Sequence, residues 1–146
     1  MMSPATKIER HDFEFPADTA VLSEIGEIVK KYCIHASISD DDQSCVILAV
    51  DEACTNAIKH GLRSNKDKTF HLLIESKPGK ILIEIRESGK PFNPTNISNP
   101  DLNAGLEERP IGGLGVFLIY ELMDRVEYSL TEDGVKVLKM LKGKID

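Results

Sequence analysis

The segment KPFNPTNISNPDLNAGLEERPIG, residues 90–112, carries Pro91, Pro94, Pro100 and Pro110 among several Asn and Gly residues. Each proline fixes φ and removes a backbone donor, so neither a regular helix nor a central strand can pass through it. A stretch of this length inside a compact unit is usually a lid or a binding loop. Regular structure must therefore be sought on either side of it. The whole chain has 146 residues, which suits one domain spanning 1–146 with a lid at about 90–112.

Before the lid, KIERHDFEF (7–15) alternates in part and predicts a strand closed by Pro16. Asp18 is the expected N-cap of a helix over about 19–34, with Leu22, Ile25, Val29 and Tyr32 at helical spacing. Ser39 followed by Asp40, Asp41 and Asp42 predicts a second helix start, since serine satisfies free N–H groups and acids suit the helix dipole. That helix should run to about His60, with Gly61 as its stop. Residues 69–77 and 81–87 predict a hairpin around Pro78-Gly79, with Ile81, Ile83 and Ile85 on one strand face.

After the lid, Gly112-Gly113-Leu114-Gly115 opens an apolar helix through about Met123. Residues 125–131 place Val126, Tyr128 and Leu130 on one face, Asp133-Gly134 signals a hairpin turn, and 135–141 form the last strand. Helices and antiparallel hairpins in this order predict an α+β two-layer sandwich, a mainly antiparallel sheet covered on one face by three helices.

The composition narrows the partners. A formal charge of −6 argues against a broad nucleic-acid surface, which needs a basic footprint. No apolar run is long enough to span a bilayer, and the first residues lack the apolar stretch of a signal peptide, so a cytoplasmic protein is expected. Cys33, Cys45 and Cys54 show neither paired spacing nor a CxxC motif, and read as small apolar side chains.

The second helix carries the chemistry. Its stretch Cys45-Val46-Ile47-Leu48-Ala49-Val50 is apolar on every side, as in a largely buried helix. Glu52 and Asn56 interrupt it one turn apart, and the same stripe continues to Lys59 and His60. An amide oxygen is a hard ligand that Mg²⁺ accepts beside water and phosphate oxygens. A carboxylate one turn away can take a proton from an attacking hydroxyl. Two further pieces are weak alone. Glu87-Ser88-Gly89 ends a strand where a carboxylate could accept a hydrogen bond from a base amine, with no Cβ at Gly89 to hold the ring away. Gly112-Gly113-Leu114-Gly115 opens a helix whose N–H groups attract phosphate, without the lysine of a P-loop.

Taken in order, these pieces are more specific. Asp51-Glu52-Ala53-Cys54-Thr55-Asn56-Ala57-Ile58-Lys59-His60-Gly61 resembles the N box of the GHKL (Bergerat-fold) ATPase superfamily. Glu87-Ser88-Gly89-Lys90-Pro91-Phe92-Asn93-Pro94 is similar to its first glycine box, and Gly112-Gly113-Leu114-Gly115 to its second. Within the superfamily the chain most resembles the small bacterial anti-sigma-factor serine/threonine kinases.

The resemblance implies ATP and Mg²⁺ as cofactors. Glu52 would be the general base and Asn56 the Mg²⁺ ligand. Glu87 would read the adenine over the floor made by Gly89, next to Pro91 and Phe92. Gly112, Gly113, Leu114 and Gly115 would hold the phosphates, with Lys59, His60 and Arg109 as further nucleotide-contacting candidates. The implied partners are a sigma factor and a small anti-anti-sigma (STAS-type) protein carrying the phosphorylated serine, with a homodimer as a further expectation and no direct nucleic-acid or membrane contact. Two positions depart from the pattern. The adenine reader is normally aspartate and here is Glu87. The arginine expected just before the second glycine box is replaced by Ile111, the nearest being Arg109. These departures favour an alternative, an ATP-gated partner-binding switch with little kinase activity. A detached histidine-kinase catalytic domain would need a separate phosphoacceptor helix pair, for which the chain has no room.

Overall fold

The computed structural model describes the backbone of residues 8–88 and 113–143 and the side chains of 8–88 and 117–143. Gly89, Pro91, Phe92, Arg109, Gly112 and the proposed lid lie outside the described residues.

Strand β1 spans Glu9–Pro16. Asp18 is an N-cap, its side chain accepting a hydrogen bond from Ala20 N, but the element it caps is a 3₁₀ turn, Thr19–Val21. The α-helix proper, α1, starts at Leu22 and runs to His35. Helix α2, Asp40–Asn56, is capped by Ser39, whose hydroxyl accepts from Asp42 N. Strands β2 (Thr69–Lys77) and β3 (Lys80–Glu87) form the expected hairpin, with Gly79 at φ +78° making the turn that an L side chain would resist. Helix α3 (Gly113–Leu122) precedes the β4 (Arg125–Leu130) and β5 (Lys136–Gly143) hairpin, turned at Gly134 with φ +84°.

The five strands lie in the order β1-β2-β3-β5-β4, every neighbouring pair antiparallel. Alternation then sorts side chains between two faces. Phe15, Phe70, Leu72, Ile74, Ile81, Ile83, Ile85 and Met140 form the buried ladder on one face. Against it pack Ile25, Val29 and Cys33 of α1, one turn apart, and Val46, Ala49, Val50, Ala53 and Cys54 of α2. Each large aliphatic side chain buried in this way contributes about 1.5–3 kcal/mol. The α+β sandwich expected from the element order is the observed fold.

Three further details differ from the sequence-based expectation. Helix α2 is not buried on every side: Leu48 is 43% exposed, and Cys45 and Ile47 are half-buried. The helices form a single layer in which α2 packs against both α1 and α3, so no described element covers its outer side. Leu130, at the end of the edge strand β4, is 53% exposed. The second helix also changes type at its end. After Asn56 the chain enters a π-helical turn, Ala57–Gly61, in which Leu62 N donates to Ala57 O at 2.8 Å.

A lysine on the last strand fixes α3. Lys142 Nζ donates to the Leu122 carbonyl at 2.7 Å, where free carbonyls and the negative end of the helix dipole attract a cation. Asp124 Oδ2 accepts from Gly143 N at 2.8 Å, tying the exit of α3 to the end of β5.

Candidate functional site

The end of α2, the π turn, α3 and the ends of β3, β4 and β5 enclose a mainly apolar pocket. Asn56, Ala57 and Gly61 line one wall, Ile119 and Tyr120 another, and Ile85, Glu87 and Lys136 the floor. Val126, Tyr128 and Leu138 complete it from the β4–β5 hairpin. A concave apolar site with a few convergent polar groups is the usual form of a small-molecule site.

The π turn shapes this wall. Widening the helix by one residue per turn changes the direction of every side chain after it, and such turns recur at functional sites. Asn56 and Gly61 line the pocket, whereas Lys59 is exposed and His60 half-buried, both outside the lining. Burial and, secondarily, the Lys59 charge hold the His60 imidazole below its ordinary value. Glu52 stands half-buried one turn before Asn56, also outside the lining formed by the described residues.

Glu87 is buried at the end of β3, and its carboxylate is met by Lys136 Nζ at 2.5 Å. The two residues are direct partners in the β3–β5 ladder and lie on the helix-covered face. Their side chains are 7% and 6% exposed, respectively. Gly61 makes room for them. A Cβ added there would stand 2.5 Å from Glu87 Oε1 and 2.7 Å from its Cδ. Gly61 therefore does more than terminate a helix, because the carboxylate occupies the place of its missing side chain.

Sequence reasoning identified Asn56 and Glu87, and the fold brings both to one pocket. It placed Gly113, Leu114 and Gly115 at a helix start, and α3 does begin at Gly113. It missed Lys136, Tyr120 and Tyr128. A lysine in phase with Leu138 and Met140 on an inward strand face was the available signal for Lys136. Partial burial raises the pKa of the Tyr120 hydroxyl above its ordinary value.

The pattern of the histidine kinase-like ATPase domain matches residues 15–142, nearly the whole chain. The chain belongs to the histidine kinase-like ATPase family. The serine-protein kinase RsbW of Staphylococcus aureus (strain MSSA476) is 31% identical over 131 residues, 86% of this chain and 82% of the relative. RsbW of Bacillus mycoides (strain KBAB4) is 24% identical over 136 residues, 90% of this chain and 84% of the relative. Among solved structures, the SiaB–SiaC complex of Pseudomonas aeruginosa contains a chain with TM-score 0.66 and 19% identity, covering 90% of this chain and 88% of that one. A Mycobacterium tuberculosis structure of RsbU and RsbW domains matches with TM-score 0.61 and 9% identity, over 92% of this chain and 32% of that chain. The GHKL-type fold and the kinship with anti-sigma kinases expected from the three motifs thus both hold.

Proposed function

We propose that this protein is an ATP-dependent protein-serine kinase of the anti-sigma type, acting on a small anti-anti-sigma partner. One observation carries the reading: Asn56 of the N-box helix and Glu87 of the first glycine box, 31 residues apart, line the same apolar pocket. The base would enter that pocket, with its exocyclic amine at Glu87. The phosphates would extend toward the N-terminus of α3, whose first turn contains Gly113 and Gly115 and would offer backbone N–H donors.

The donor set fits Mg²⁺ of the substrate-borne kind. Among the described residues no group of three or more His, Cys, Asp and Glu side chains could hold a metal by itself. Mg²⁺ in phosphoryl-transfer sites is commonly held by one or two protein groups plus phosphates and water, and Asn56 would supply the protein ligand. When bound there, it would neutralise charge on the phosphates. Glu52 would accept the proton of the partner's serine hydroxyl as the serine oxygen bonds to the γ-phosphorus. The bond to the β–γ bridging oxygen then breaks and ADP leaves. Most of the acceleration in such a transfer comes from positioning and charge neutralisation, so loss of Asn56 should harm the rate at least as much as loss of Glu52.

A second reading, an ATP-gated switch that holds its partner without useful transfer, is favoured by the two departures from the family pattern, Glu87 for aspartate and Ile111 where an arginine is expected. Phosphate transfer separates the two. The purified protein is incubated with γ-labelled ATP, Mg²⁺ and a lysate of its own host, beside a Glu52→Ala sample. A small protein labelled only by the wild type supports the kinase. An unlabelled lysate, from a preparation that binds ATP, supports the switch.

A further inference from the structure

We infer that Lys136 is a second base-reading residue, which together with Glu87 reads the base edge at two adjacent points. The inference rests on the nucleotide-binding reading of the same pocket and goes beyond the single carboxylate contact implied by the motif. The ammonium is anchored by register. Lys136 is the β-ladder partner of Glu87, on the helix-covered face, so its side chain is held at the pocket floor. It is 6% exposed, lies 2.5 Å from the Glu87 carboxylate, and shares the lining with Asn56, Tyr120 and Tyr128. The carboxylate is in turn held against Gly61, where no Cβ could fit. An acceptor and a donor are thus fixed side by side at the end of an apolar cleft.

The adenine edge presents the complementary pair. Its 6-amino group donates and the adjacent ring nitrogen N1 accepts. A carboxylate alone satisfies only the amine. An ammonium has three N–H donors, so it can hold a carboxylate and a ring nitrogen together. A desolvated ion pair is weak evidence of a stabilising role, since apolar side chains of the same volume often serve the fold as well or better. A pair set in the floor of a ligand pocket has the base edge as its counterpart. The extra methylene of Glu87 relative to aspartate is accommodated by the same arrangement: the longer acid reaches Lys136, and the pair presents one composite edge.

The test removes the acceptor from the ligand first, so that it needs no variant. Affinities of the wild-type protein for ATP and for 1-deaza-ATP, which keeps the amine but lacks N1, are measured by calorimetry with Mg²⁺ present. The expected result is binding of 1-deaza-ATP weaker by roughly tenfold or more, the loss of one charge-assisted hydrogen bond. In Lys136→Met, with folding checked by thermal melting, ATP should weaken and the ratio between the two ligands should fall to near one. Lys136→Arg should restore discrimination in part. Equal binding of ATP and 1-deaza-ATP by the wild type overturns the inference while leaving ATP binding intact. An unchanged ratio in Lys136→Met also overturns it and leaves the lysine a structural partner of Glu87. Absence of ATP binding by the wild type overturns the nucleotide reading itself and this inference with it.

Discussion

Glu84 and Glu87 lie three residues apart on the same strand, both buried and both paired with lysine, yet on opposite faces of the sheet. Glu84 faces away from the helices. It accepts from Arg86 Nε at 2.7 Å and lies 3.6 Å from Lys139 Nζ, and those partners are 50% and 47% exposed. Glu87 lies beneath the helix layer, with a partner only 6% exposed. The cations of the first set stand half in solvent, where screening leaves each of their ion pairs with little net effect on stability, although Glu84 itself is covered. The second is desolvated, so each member depends on the other. One residue type on one strand thus meets half-exposed cations on one face and a buried one on the other, and the helix layer makes the difference.

That contrast can be broken at several points. Lys136→Met should have the largest effect, removing the cation beside the buried Glu87 carboxylate and lowering stability by about 3–5 kcal/mol. Urea unfolding measures it, and a loss below that of Lys139→Ala would abolish the distinction between the faces. Gly61→Ala should come next. Its Cβ would intrude on the Glu87 carboxylate, so overpacking should lower stability by about 1–3 kcal/mol and weaken nucleotide binding. Glu87→Asp in that background should recover part of the loss, because the shorter acid vacates the space. Failure of this rescue would show that the clash involves the π turn itself. Lys139→Ala should lower stability by less than about 1 kcal/mol, and the difference should shrink further in high salt.

The smallest effect concerns pH. The His60 imidazole titrates below its ordinary value of 6.5, from burial first and the Lys59 charge second. Folding therefore favours the neutral ring. Its contribution is present above about pH 6.5 and is lost as pH falls through the lower folded value. Melting temperature against pH should fall less steeply on the acid side in His60→Gln than in the wild type. An identical acid limb in both would mean that other groups carry the acid sensitivity.

Much of this organisation is legible in the chain. Ser39 with Asp40 to Asp42, Pro78-Gly79 and Asp133-Gly134 specify their caps and turns through local hydrogen bonding and backbone geometry, and the structure places each of them there. Alternation of Ile81, Ile83 and Ile85 specifies the inward face of β3 for the same reason, because a side-chain period of two is a local property. The end of the second helix is not legible in this way. Continuing an α-helical stripe through His60 puts Lys59 and His60 beside Asn56, whereas the π turn puts Gly61 beside Asn56 on the pocket wall. Helix widening by one residue leaves no mark in hydrophobic periodicity over so few positions.

The sequence by itself determined the elements, their order and the two residues, Asn56 and Glu87, that mark the pocket. Each is decided by interactions within a few positions along the chain or by a motif read directly from it. Only the tertiary structure decided that Lys136 is the partner of Glu87 and that Gly61 is the space for its carboxylate. Both depend on register between strands far apart in the chain and on the docking of a helix end onto a sheet. Strand pairing and helix docking are set by packing of the whole core, which no local pattern encodes.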